Sequence, residues 1–73
     1  MSTQKKIVHY HIGRLSDRQP EVRLEAIREL EDIGDPEALQ PLQDVFESDL
    51  DLDVRRAAQA AGRAVFLKSR AVK

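Results

Sequence analysis

Apolar residues recur along the chain at intervals of three and four, in four runs separated by polar, turn-forming residues. The first run is Val8, His11, Ile12 and Leu15, and the second is Val22, Ala26, Leu30 and Ile33. The third is Leu39, Leu42 and Phe46, continued by Leu50; the fourth is Val54, Ala58, Ala61 and Val65. A 3.6-residue period predicts amphipathic α-helices, each with one face to bury. The punctuation between runs sets their ends. A first helix is expected from about Thr3 to Leu15, before Ser16-Asp17. Asp17 and Pro20 open the second, Asp as the cap and Pro at a first helical position, and Gly34 closes it. Asp35-Pro36-Glu37 starts the third at once. Ser48 to Asp53 is a polar turn carrying two leucines, and the last helix runs from about Asp53 to Arg70. Four such helices on short turns predict an all-α fold with antiparallel neighbours.

The runs are also copies of each other. Val22-Arg23-x-x-Ala26 returns as Val54-Arg55-x-x-Ala58 at an offset of 32, which Asp17 and Asp49 share. The preceding helices align at an offset of 31, Val8 with Leu39, His11 with Leu42 and Leu15 with Phe46. One inserted residue in the Leu50–Leu52 turn accounts for the difference, so the chain is a duplicated helical hairpin.

An Asp six residues before Arg in V-R-x-x-A, followed by Ile33-Gly34-Asp35-Pro36-Glu37-Ala38-Leu39, resembles HEAT repeats. It is most similar to the short HEAT-like variety of phycobilisome bilin lyases and other bacterial proteins. The resemblance implies an α-α superhelix: one HEAT-like solenoid domain over residues 1–73, with repeat one at about 4–34 and repeat two at about 35–70. It implies that Asp17, Arg23, Asp49 and Arg55 form a structural ladder along the inter-repeat turns. It also implies a non-catalytic protein–protein interaction module: an adaptor, assembly factor or small accessory subunit. The alternative it carries is a lyase-like or chaperone-like helper for pigment proteins, although two repeats are few to enclose a tetrapyrrole. The chain departs from the pattern at Gly62, which stands where the first repeat has Leu30. Glycine there either weakens the helix by about 1 kcal/mol relative to Ala or admits a close neighbour.

Composition narrows the chemistry. With 73 residues and no cysteine, the chain has a thin core and neither disulfides nor thiolate metal sites to support it. No apolar run approaches the roughly 20 residues of a membrane span. The opening MSTQKKIVHYHIGRL has no apolar signal core, so a cytoplasmic location is expected. There is no Gly-rich phosphate loop, GxSxG or HExxH, and Ser2, Ser16, Ser48 and Ser69 fall at helix ends or turns. Neither an enzyme nor a cofactor is expected. His9 and His11 stand two apart, about 200° around a helix, and cannot share one ion; His11 falls on the apolar stripe instead.

Charge is divided sharply along the chain. Residues 1–16 carry Lys5, Lys6 and Arg14 and no acid, while residues 17–53 hold all 13 acids against Arg18, Arg23 and Arg28. Residues 54–73 carry Arg55, Arg56, Arg63, Lys68, Arg70 and Lys73 and again no acid. A pI of about 6.1 and the acidic middle argue against nucleic acid as partner. On the last helix Arg56, Ala60, Arg63, Leu67 and Arg70 share a face opposite the Val54–Val65 stripe, with Phe66 also off that stripe. Arginine and aromatic residues together mark a protein contact surface. The matching face of the second helix carries Glu25, Arg28, Glu31 and Asp32, and the two strips are expected side by side. Two hairpins leave both ends of a stack open, at Ile7 and Val8 and at Phe66, Leu67 and Val72. A homodimer is the simplest way to cover them, with the basic helix of one copy on the acidic helices of its mate; docking into a larger complex is the other.

Overall fold

The computed structural model describes residues 2–71. These form four α-helices: α1 (Thr3–Arg14), α2 (Pro20–Ile33), α3 (Leu39–Ser48) and α4 (Leu52–Ala71), with a 3₁₀ turn at Pro36–Ala38 ahead of α3. Val72 lies outside the described residues. No described helix is long and apolar enough to cross a membrane. The pairs α1–α2 and α3–α4 are helical hairpins, and the second stacks on the first chiefly through α4 against α2.

Local chemistry explains the boundaries. The Ser2 hydroxyl accepts the Lys5 N–H at the start of α1, satisfying one of the donors a first turn leaves free. Asp17 does not cap α2 as expected. That helix starts at Pro20 behind Gln19, and the Asp17 carboxylate instead accepts the Gln19 N–H at 2.9 Å in the turn before it. Gly34 ends α2 in the left-handed region at φ 74°, where a residue without Cβ is least strained. The Asp35 carboxylate takes the Glu37 N–H at 2.8 Å, and the chain winds one 3₁₀ turn before α3. The cap of α4 is Asp51, whose Oδ1 accepts the N–H groups of Asp53 and Val54 at 2.9 and 3.1 Å.

The core is one cluster: Val8 of α1 and Leu15 just after it, Ala26, Ile27 and Leu30 of α2, Ala38 ahead of α3, Leu42 and Val45 of α3, and Val54, Ala58, Ala61 and Val65 of α4. The α4 stripe is buried at every predicted position. Two corrections fall on α2 and α3, where Ile27 and Val45, outside the predicted stripes, are buried. Both face the neighbouring repeat, a second burial surface that one periodic stripe does not record. Leu50, predicted to continue the α3 stripe, is wholly exposed. The helix stops at Ser48 because Asp49 turns extended (φ −67°, ψ 140°), and its carboxylate is held by other groups, which swings Leu50 outward. His11 is buried, edge-on to Tyr10 with ring centroids 5.1 Å apart.

Candidate interaction surface

The duplicated Asp and Arg positions come together across the repeats. Arg23 donates from Nε and Nη2 to the two carboxylate oxygens of Asp49 at 2.8 and 3.0 Å. Its Nη1 donates to the carbonyls of Asp17 and Arg18 at 2.8 and 3.2 Å. Asp49 also accepts the Asp51 N–H at 2.9 Å. One guanidinium therefore ties the turn before α2 to the turn before α4. Both side chains are largely buried, 14% and 8% exposed, so the pair is shielded from water and geometrically bidentate. Arg23 touches Asp17 only through its carbonyl; the two side chains do not pair. Arg55 donates to the Phe46 carbonyl at 2.9 Å and meets no carboxylate among the described residues. One rung is closed, and Asp17 and Arg55 stand at its two open ends.

The turn at Gly34–Asp35 is held from both sides by residues that sequence reasoning did not single out. Lys5 donates to both Asp35 oxygens at 2.8 and 3.0 Å, and Gln4 donates at 3.1 Å. The Asp35 side chain is only 4% exposed. Lys5, then the Glu37 N–H, hold its carboxyl at about 2, below an ordinary 3.8, against the opposing effect of burial. His9, then Lys5, lower the Glu37 carboxyl in turn. From the other side, Lys68 of α4 donates to the Glu31 and Asp32 carbonyls at 3.0 and 3.3 Å, satisfying acceptors that the end of α2 leaves free. The only sequence signal for these contacts was the division between acid-free ends and an acidic middle. His9 thus sits on a carboxylate, and no cluster of three or more potential metal ligands occurs among the described residues.

No ion pair joins the acidic strip of α2 to the basic strip of α4 among the described residues. Glu25 pairs with Arg14 of α1, which raises the Arg14 guanidinium above its ordinary value. Glu31 and Asp32 reach α4 through backbone carbonyls alone, and Arg28 is exposed. On α4, Arg56, Arg63 and Arg70 are exposed, as are Phe66 (47%) and Leu67 (52%). The Arg70 guanidinium lies 5.6 Å from the centre of the Phe66 ring, within cation–π range. Phe66 lines a groove of about 400 Å³ between α3 and α4, together with Leu39, Gln43, Phe46, Gln59, Gly62 and Arg63. Gly62 lines it without close contact. A Cβ built there would meet its nearest neighbour, Leu42 Cβ, at 3.9 Å. The departure from the repeat pattern thus borders the groove, with room for a side chain in ordinary contact with Leu42.

Counting back by the two offsets maps Leu39, Gln43, Phe46, Gln59 and Gly62 onto Val8, Ile12, Leu15, Ile27 and Leu30. Those five are buried or half-buried between the repeats. The groove is therefore the face on which a further hairpin would stack, and the duplication alone was enough to find it. No curated protein and no solved structure matches the chain. A family model described as HEAT repeats matches residues 4–62. With its duplicated hairpin of four helices, the chain belongs to the HEAT-repeat family.

Proposed function

We propose that the chain is a non-catalytic interaction module, an adaptor, assembly factor or small accessory subunit of the cytoplasm, that binds protein through the open end of its second repeat. HEAT repeats generally mediate protein–protein interaction, and one observation points to this end: the face that buries Leu30 completely in the first repeat leaves Phe66 47% exposed beside a groove in the second. Arg56, Arg63, Phe66, Leu67 and Arg70 are the proposed contacts. Aromatic and arginine side chains beside an apolar recess are the kind of anchors that dominate binding energy. Glu25, Arg28, Glu31 and Asp32, on the other helix of the stack, form the second proposed contact surface.

The test is affinity capture with the wild-type chain and with Arg63→Glu/Phe66→Asp, both checked for helicity by circular dichroism. Proteins held by the wild type should fall at least tenfold with the double variant, as quantified by mass spectrometry. Equal recovery by two folded baits would sink this surface. The pigment-handling alternative rests on local resemblance alone; a visible-band shift on bilin addition would support it, and its absence would set it aside.

A further inference from the structure

The two open ends of the stack are built from the same positions as the junction inside it, so they can be compared with that junction position by position. Inside, α2 with its large Ile27 and Leu30 packs on α4, whose small Ala57, Ala61 and Ala64 share the helical face that carries Lys68 to the end of α2. Ile27, Leu30 and Ala61 are 1%, 0% and 0% exposed, and Ala57 and Ala64 are half-buried. At the outward ends the sizes are reversed. Ile27 and Leu30 become Gln59 and Gly62 on the second repeat, whereas Ala57, Ala61 and Ala64 correspond to Glu25, Glu29 and Asp32 on the first.

Charge is complementary in the same register. The second-repeat end offers Arg55 and Arg63, neither with a carboxylate partner among the described residues. The first-repeat end offers Asp17, Glu29 and Asp32, whose carboxylates likewise meet no cation there. Asp17 stands where Asp49 stands in the closed rung, and Arg55 where Arg23 stands. On the other helix pair, Ile7 and Tyr10 are 45% and 64% exposed. They correspond to Ala38 and Pro41, which pack between the repeats, and they would face the groove between Leu39 and Phe46.

We infer that the second repeat of one copy receives the first repeat of another, head to tail, with Arg55 of the one closing the ladder on Asp17 of the next. This rests on the reading of the open end as a binding surface and names its occupant as a second copy of this chain. The small-for-large and basic-for-acidic exchanges at matched positions fit the ends to each other better than either fits a copy of itself. Such a contact is heterologous and adds subunits without closing on a pair. It therefore replaces the symmetric dimer that two open ends made the simplest expectation.

Sedimentation velocity and light scattering of the full chain, from micromolar to millimolar at low salt, test the proposal. Average mass should climb past that of a dimer with concentration and fall back as salt screens the charges. Arg63→Glu and Glu29→Arg alter exposed side chains with no ion pair among the described residues, so both should fold. Each alone should weaken association at least tenfold, and their equimolar mixture should restore it. Arg55→Glu and Asp17→Arg should behave likewise, with circular dichroism as the check on folding. A monomer at every concentration, a mass that stops at the dimer, or a mixture no better than its components would overturn the head-to-tail contact. If such a result accompanies capture of another protein that depends on Arg63 and Phe66, only the self-association fails; if capture is also indifferent to them, the binding surface fails with it.

Discussion

The junction between the repeats and the open end of the second repeat use corresponding positions for opposite purposes. At the junction Leu30 is fully buried and Arg23 is closed on Asp49. At the open end Gly62 stands for Leu30, Gln59 for Ile27 and Gln43 for Ile12, and Arg55 donates to a backbone carbonyl and meets no carboxylate among the described residues. Apolar volume and a shielded ion pair hold a short solenoid together, because one hairpin alone cannot bury both of its faces. Removing that volume at the end keeps a bare apolar face from water while leaving a groove edged by arginine and phenylalanine. The duplication thus separates what a position does for folding from what it does for recognition.

Substitutions at matched positions should measure the contrast. Leu30→Ala should have the largest effect, a loss of about 2–5 kcal/mol in urea denaturation, since it empties a fully enclosed site. A loss under 1 kcal/mol would mean that the junction is not the core of the fold. Arg23→Ala comes next, at about 2–4 kcal/mol, because it strands the Asp49 carboxylate in a largely buried site. Arg55→Ala should cost only about 1 kcal/mol, one hydrogen bond to a carbonyl; equal losses at the two arginines would erase the difference between closed and open ends.

The Asp35 clamp is at least as large as the Arg55 contact and depends on pH. Its carboxyl is held at about 2 in the folded chain against an ordinary 3.8. A depressed acid stabilises the folded form above its unfolded value, so the contribution is complete above pH 4 and disappears as pH falls towards 2. It is on the order of 1–2 kcal/mol, and Asp35→Asn should flatten that part of the stability–pH curve. The smallest effect is a gain. Gly62→Ala should stabilise by about 0.5–1 kcal/mol through helix propensity, as its Cβ would find only ordinary contact at 3.9 Å. A loss there would mean that the groove requires glycine for the fold itself.

Much of this was legible from residue order. The periodic runs located four helices, and the stripe on α4 was read without error because all four of its positions point into one interior. Gly34 and Asp35 were legible as a helix stop and start because their chemistry is local. Ile27 and Val45 escaped because a helix in a stack buries a second face against the next repeat. Leu50 misled because a periodic pattern does not reveal that the backbone leaves the helix at Asp49. At the candidate surface the exposure of Arg56, Arg63, Phe66, Leu67 and Arg70 was readable from the helical period, while the pairing of Glu25 with Arg14 was not.

The sequence by itself determined the helical class, the duplication and the positions of the Asp and Arg residues, since each depends on neighbours within about one turn or on counting along the chain. Tertiary structure decided which charges meet: Arg23 with Asp49 rather than with the side chain of Asp17, Lys5 with Asp35, and Lys68 with the end of α2. It also decided that Gly62 borders space instead of a tight contact. Those outcomes depend on how one hairpin is translated and rotated on the other. That geometry is set by the summed packing of a dozen buried side chains, and no short stretch of sequence contains it.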